Sequence, residues 1–265
     1  MKISIVTLSF NQKRYLQDAI ESVLQQNHPD VEYIVVDPGS TDGSREEIES
    51  YGTRIACKIF EPDEGAADGL NKGFRKATGA VYGFLNADDL LMPLALSRVA
   101  SFFQSNPQCD LVMGNGFIID ADGAPKRHIR ARDFTVRRYL HGGTRWLQQS
   151  TFFRAKAFAQ SPRFNIDNRT CWDGELFVSM AKQGAAVAYL EADLAKFRIH
   201  SESISGSGSG NERYKADRMR IFEQLLGRKW SSIDELWRFL YRGEGVVLRA
   251  WDWPRTLAAR DDQGF

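Results

Sequence analysis

Val81-Tyr82-Gly83-Phe84-Leu85-Asn86-Ala87-Asp88-Asp89 is an apolar run that passes without a break into one amide and two carboxylates. Residues 81–85 read as a buried strand, and the polar side chains that follow belong at its end, because a core gives them no partners. The same order occurs twice upstream. Residues 3–8 (Ile-Ser-Ile-Val-Thr-Leu) are followed by Ser9, Asn11 and Gln12, and then by Tyr15, Leu16, Ala19, Ile20, Val23 and Leu24 at helical spacing. Residues 33–36 end in Asp37 and the turn-rich stretch 38–43, after which 44–51 reads as helix. A strand at 55–60 and a helix at 67–76 complete a repeated βα pattern, which predicts a parallel sheet with crossover helices. In such sheets ligands bind beyond the carboxyl ends of the strands, so residues 9–12, 37–42 and 86–89 are expected to be neighbours.

Farther along, residues 93–103 read as a helix, 110–119 as a strand, Ala121-Asp122-Gly123 as a hairpin turn and 185–190 as strand-like, giving a more mixed sheet. The run 205–210, Ser-Gly-Ser-Gly-Ser-Gly, is flexible by composition and serves either as a linker or as a lid over a site. Helical periodicity resumes over 211–228 and 233–257. The expected organisation is a body at 1–205 and a C-terminal extension at 206–265, made of the Gly/Ser segment and helices.

Composition narrows the class. A chain of 265 residues, 43% hydrophobic and 26% charged, can bury a large core without disulfides or a structural metal. Cys57, Cys109 and Cys171 are far apart and form no C-x-x-C pair, so they read as packing residues of a reducing compartment. No run approaches the roughly 18–20 apolar residues of a spanning helix, and the apolar start is too short for a secretory signal, so the cytoplasm is the expected location. The net charge of +1 conceals sorting: residues 126–169 carry 11 Lys+Arg against 2 Asp+Glu. That stretch is either a solvated basic face or a landing surface for an anionic partner such as a phospholipid head group or a diphosphate; it lacks a nucleic-acid reading motif.

No G-x-G-x-x-G follows the first strand and no G-x-x-x-x-G-K-[ST] occurs, which removes the main support for dinucleotide oxidoreductases and P-loop enzymes. Asp88 and Asp89 offer hard oxygen ligands for Mg²⁺ or Mn²⁺, or else cap the helix that follows. Four ordered stretches then decide the matter: Ile5-Val6-Thr7-Leu8-Ser9-Phe10-Asn11; Val36-Asp37-Pro38-Gly39-Ser40-Thr41-Asp42-Gly43-Ser44; Glu61-Pro62-Asp63-Glu64-Gly65 with Asp68, Asn71, Lys72 and Gly73; and Gly83-Phe84-Leu85-Asn86-Ala87-Asp88-Asp89 with Pro93. Together they resemble glycosyltransferase family 2, over about residues 1–205. The resemblance implies the α/β GT-A fold of nucleotide-diphospho-sugar transferases, with a mostly parallel central sheet flanked by helices and, here, a C-terminal helical extension.

The resemblance also implies roles. Thr7, Leu8, Phe10 and Asp37 would hold the nucleoside, where a carboxylate accepts a base N–H and an aromatic edge packs on the ring; Phe10 otherwise reads as a core aromatic. Asn71, Asn86, Ala87 and Asp88 complete the nucleotide site. Asn86-Ala87-Asp88 matches the family's D-x-D element with Asn in the first position; Asp88 would hold Mn²⁺ or Mg²⁺, with Asp89 beside it. In Thr170-Cys171-Trp172-Asp173-Gly174-Glu175-Leu176, Asp173 corresponds to the catalytic base, with Glu175 as the fallback, and either reading leaves Asp173 room to cap the helix after it. In Lys196-Phe197-Arg198-Ile199-His200, His200 would be a metal ligand and Arg198 a phosphate or structural contact. Gln149 lies in a stretch, 148–153, that follows the family pattern on the acceptor side.

The function so implied is inverting, metal-dependent, hexosyltransferase-type transfer from a nucleotide-sugar, a UDP-sugar first, to a hydroxyl of a glycan or lipid-linked acceptor in polysaccharide biosynthesis. A nucleotidyltransferase of similar fold and a binding module without turnover are the alternatives. Trp230, Trp237, Arg238, Arg242, Arg249, Trp251 and Trp253 in the C-terminal helices fit either peripheral contact with an anionic membrane, at its inner face, or packing against the body.

Overall fold

The computed structural model describes residues 1–201, 203, 211–241 and 243–244. Among the described residues nine strands build one sheet: β1 (Ile3–Leu8), β2 (Val31–Val36), β3 (Cys57–Ile59), β4 (Val81–Asn86), β5 (Leu90–Leu91), β6 (Leu111–Ile119), β7 (Pro125–Ile129), β8 (Thr151–Arg154) and β9 (Val187–Arg198). The order is β3-β2-β1-β4-β8-β6-β9-β5, with β7 paired to β6. The first four strands pair in parallel, as the βα repeat requires, while β8 joins β4 and β6 antiparallel and makes the sheet mixed.

Among the described residues it is flanked by α1 (Lys13–Leu24), α2 (Ser44–Ser50), α3 (Ala66–Lys76), α4 (Ala95–Ser105), α5 (Val136–Leu140), α6 (Ala155–Gln160), α7 (Trp172–Lys182) and α8 (Asn211–Leu226), and residues 232–241 are helical as well. Successive strand residues point to opposite faces, and both faces are covered. Ile3, Ile5, Tyr33, Val35 and Phe152 pack with Leu16, Ile20, Ile48 and Leu96 on one side. Val6, Ile34, Val36 and Phe153 pack with Leu70, Phe74, Phe158, Phe177 and Phe222 on the other. Gly73 lets α3 lie close on the sheet, since a Cβ there would meet Val6 Cγ1 at 2.5 Å.

Three differences from the sequence reading have local causes. Strand β3 starts at Cys57, not 55, because Gly52–Arg54 makes a 3-10 turn first. Helix α4 starts at Ala95 after Leu94 adopts a left-handed φ of 65°. Strand β9 runs to Arg198, past the expected end at 190; irregularities in its pairing with β6 around Gly114–Gly116 absorb the polar Glu191 and Asp193. The Gly/Ser run 205–210, Arg242 and residues 245–265, with Arg249, Trp251 and Trp253, lie outside the described residues. Helix α8 does pack on the body, touching α5 and α7, with Ile221 and Phe222 fully buried.

The register places the site. Leu8 is level with Val36 on one side and Asn86 on the other, so β1, β2 and β4 end flush and their following loops share one crevice. Among the described residues no helix is long and apolar enough to cross a membrane.

Candidate active site

A cavity of about 940 Å³ opens at these strand ends. Its wall takes Leu8, Ser9 and Phe10 from the end of β1 and the loop after it, Pro38 from after β2, Asp63 to Ala66 at the start of α3, Asn86 to Asp88 at the end of β4, Trp146 to Gln149 before β8, and Arg169, Thr170, Trp172 and Asp173 around the start of α7.

At the end of β4 the two aspartates differ. Asp89 is fully buried and accepts hydrogen bonds from Arg198 N (2.8 Å), Gln149 Nε2 (2.7 Å) and Asn86 Nδ2 (3.1 Å). Burial first, and the neighbouring Asp88 charge second, push its carboxyl well above the ordinary value against those donors. Asp89 therefore anchors the turn, and Asn86 in the first position of the acidic element ties to it. Asp88 faces the cavity, with Oδ2 3.0 Å from His200 Nε2. Arg198 does not line the cavity: its Nε donates to Asp88 O (2.8 Å), its Nη1 to Asp120 O (3.2 Å) and Ala121 O (2.9 Å), and it lies 4.7 Å from the Tyr15 ring centre. It is a brace that fixes the Asp88 backbone.

The carboxylates of α7 differ as well. Glu175 Oε1 accepts from Asn165 Nδ2 (3.1 Å) and Arg220 Nη1 (2.8 Å), and Oε2 from Asn168 Nδ2 (2.7 Å) and Arg220 Nη2 (2.7 Å). Burial would raise this carboxyl, but Arg220 and then the two asparagines hold it below the ordinary range. Asp173 lines the cavity and forms one side-chain hydrogen bond, from Gly174 N at 2.7 Å. Burial without a cationic partner pushes its carboxyl up to about 6. A carboxylate of that kind can take a proton near neutral pH.

Other expected residues are distributed between wall and scaffold. Leu8, Phe10, Asn86, Ala87 and Gln149 line the cavity, and Phe10 is 58% exposed there, so it is not a core aromatic. Thr7 is buried and accepts from Tyr33 Oη at 3.0 Å. Asp37 is turned into its own loop, accepting from Gly39 N, Ser40 N and Ser40 Oγ at 3.1, 2.8 and 2.6 Å, with Arg45 Nε at 3.3 Å. Asn71 bridges to Phe164 through both its amide groups. Thr7, Asp37 and Asn71 thus shape the site from outside its wall. Ser9, in the 9–12 loop expected at the crevice, lines the cavity, as does Trp172; Asp63 and Arg169 are wall residues to which sequence reasoning gave no role. Burial raises the Asp63 carboxyl as well.

Three cations of the basic stretch are engaged within the protein. Lys126 pairs with Asp120 (2.7 Å), Arg138 with Glu244 (3.0 Å), and Arg154 donates to the carbonyls of Cys109, Phe103 and Asn106.

For a divalent cation, the residues present fit in kind. Among the described residues no three His, Cys, Asp or Glu converge. Asp88 and His200 would hold it with one carboxylate oxygen and one imidazole nitrogen, a set suited to Mn²⁺ or Mg²⁺ when phosphate and water fill the remaining positions.

The family model described as "Glycosyl transferase family 2" matches residues 4–168. The chain belongs to glycosyltransferase family 2. An uncharacterized family relative, a glycosyltransferase of Nostoc sp., is 33% identical over 216 residues, covering 76% of this chain and 65% of its own length. The putative teichuronic acid biosynthesis glycosyltransferase TuaG of Bacillus subtilis is 27% identical over 251 residues, covering 93% of this chain and 96% of its own length. Among solved structures, S. aureus TarS 1–349 in complex with UDP-GlcNAc superposes with a TM-score of 0.67 at 17% identity, covering 88% of this chain and 68% of that one. The mannosyltransferase PcManGT of Pyrobaculum calidifontis, in complex with GDP-Man and Mn²⁺, gives 0.65 at 17% identity, covering 100% and 76%. These likenesses make the architecture the GT-A fold, and the family is one of glycosyltransferases.

Proposed function

We propose that this family 2 glycosyltransferase catalyses inverting transfer of a hexosyl unit from a UDP-sugar to a hydroxyl of a glycan or lipid-linked acceptor. The observation that carries the reading is the pairing, in one cavity, of a carboxylate with raised proton affinity, Asp173, and a carboxylate beside an imidazole, Asp88 with His200. In the proposed reaction the acceptor hydroxyl gives its proton to Asp173 while its oxygen forms a bond to the anomeric carbon. The bond from that carbon to the phosphate oxygen breaks with its electron pair, and the nucleoside diphosphate leaves from the opposite face.

Glu175 is withdrawn from the role of base by its four donors. Mn²⁺ or Mg²⁺ supplies charge neutralisation at the diphosphate when bound. The chain's own contribution is to hold Asp88 through Arg198 and to present Leu8, Phe10 and Ala87 as an apolar seat for the nucleoside. The UDP and UDP-GlcNAc complexes of TarS support the choice of base, and the TuaG relative, named for teichuronic acid biosynthesis, supports a polysaccharide acceptor.

The test is a panel of UDP-, GDP- and dTDP-sugars with lipid-linked and oligosaccharide acceptors, read by nucleoside diphosphate release and by the anomeric configuration of the product. Release of UDP with inverted configuration, lost in Asp173→Asn, supports the reading. Retained configuration, or release of pyrophosphate, refutes it.

A further inference from the structure

The cavity wall carries the carboxylates of Asp63, Glu64, Asp88 and Asp173, yet among the described residues that line it there is one guanidinium or ammonium, Arg169. An anionic ligand enters such a cavity only where cations offset the acids. Arg169 belongs to the turn just before α7, and its guanidinium rests directly on Gly65. A Cβ on Gly65 would collide with Nη1 of Arg169, and the φ of +113° at Gly65 also disfavours a side chain. Gly65 is thus the floor on which the arginine lies, immediately before the first turn of α3.

The other arginines near the site are engaged. Arg198 braces carbonyls, Arg220 clamps Glu175, and Arg218 donates to the carbonyls of Tyr139 and Leu140. The Arg169 side chain makes no hydrogen bond or ion pair with any described residue; its charge is felt only weakly at Asp63, where burial prevails. A second, independent feature points the same way. Ser9 is 1% exposed, lines the cavity, and its Oγ has no hydrogen-bond partner among the described residues. A buried hydroxyl without a partner is costly and is satisfied when a ligand brings an oxygen to it.

We propose that Arg169 binds the diphosphate of the nucleotide-sugar donor through its planar fork, with Ser9 Oγ donating to the same ligand. The inference rests on the donor reading above and names a residue for it that the acidic motif does not contain. The diphosphate is favoured over an anionic acceptor because Arg169 lies against Gly65 and near Asp63, on the wall that α3 shares with the end of β1. A guanidinium there matches paired phosphate oxygens and stabilises the charge that appears on the leaving group as the glycosidic bond breaks.

The test is calorimetric titration, in Mn²⁺, of UDP, GDP and dTDP, and of the nucleoside of whichever binds, against the wild type, Arg169→Gln and Arg169→Lys. Arg169→Gln is expected to weaken the diphosphate at least tenfold and leave the nucleoside unchanged. Arg169→Lys, which keeps the charge without the fork, is expected to fall between. Wild-type melting in both variants shows that the fold is retained, as expected for a side chain with no internal bond.

Unchanged diphosphate affinity in Arg169→Gln overturns the proposal, and so does a defect confined to the acceptor KM, which would make the arginine an acceptor contact. If the wild type binds none of the three diphosphates, the donor reading itself fails and takes this inference with it. The two failures are distinguished by the wild-type titration alone.

Discussion

Replacing Asp173 by Asn is expected to abolish transfer and at the same time stabilise the protein. Raising a carboxyl from its ordinary 3.8 to about 6 corresponds to about 3 kcal/mol, at about 1.4 kcal/mol per pH unit. Because the side chain is half-buried on the wall of an open cavity, solvent reduces that figure, and about 1–2 kcal/mol is the expected gain. Asn keeps the acceptor oxygen for Gly174 N and removes the charge whose burial is unfavourable. The sign follows from linkage. The native state of the wild type binds the proton more tightly than the unfolded state, so its stability falls as pH rises from about 3.8 to about 6. The advantage of Asp173→Asn is therefore small near pH 4, grows through that window and is constant above it. Urea unfolding of both proteins at pH 4.5, 6 and 8 measures it, alongside transfer rates. A variant no more stable than wild type at pH 8, or a difference independent of pH, would refute the burial argument. A wild-type transfer rate that stays flat from pH 7 down to pH 5 would remove Asp173 from the role of base.

Three further outcomes are expected. Arg220→Ala leaves the 7% exposed Glu175 with two asparagine donors in place of a bidentate cation; since Arg220 itself is partly solvated, a loss of about 1–3 kcal/mol is expected in urea unfolding, with Arg220→Lys between. Asp88→Ala and His200→Ala are each expected to remove most of any Mn²⁺ enhancement of nucleoside diphosphate affinity in calorimetry, with nucleoside affinity unchanged; an undiminished enhancement would place the cation elsewhere. Asp234 accepts from Arg228, Ser231 and His141, and Arg228 first of all holds its carboxyl well below the ordinary 3.8. Its stabilisation is therefore present above pH 3.8 and is lost as pH falls below it, and Asp234→Asn should speed amide exchange over residues 228–241 at pH 7.

The half of the fold that carries the crevice was legible because its signals are local. A β-branched run followed by small polar residues marks a strand end by itself, and three such ends brought level by parallel pairing define the crevice. The second half was less legible because its elements depend on partners far away in sequence. Strand β9 continues through Glu191 and Asp193 since β6 pairs with it along most of its length, the irregular pairing accommodates the exposed Glu191, and His128 of β7 partners Asp193. The site shows the same division. Asp88 and Asp173 stood out through their neighbours in the chain. Arg198 reads like a phosphate contact in its own segment, but its acceptors are carbonyls 77 to 110 residues upstream, and only the folded chain shows that its donors are taken. Arg169 was one of 11 basic residues in a stretch, with nothing local to separate it from Arg154, which is bound to carbonyls.

The choice between Asp173 and Glu175 shows how such placement sets chemistry. Both lie in the first turn of one short helix, two residues apart, and burial disfavours the charge of each. Glu175 points toward α8 and gains a guanidinium and two amides, so its charged form is held and its proton affinity falls below the ordinary range. Asp173 points toward the cavity, gains a single backbone donor, and its proton affinity rises toward neutrality. Thr170 donates to Asp217 at 2.7 Å, so α8 also grips the turn that leads into Asp173. Helix α8 thus acts twice on this turn: it neutralises the carboxylate that would otherwise compete for the proton, and it fixes the backbone that presents the other. An arginine bound to Asp173 in place of Glu175 would leave the fold satisfied and remove the base of the proposed reaction.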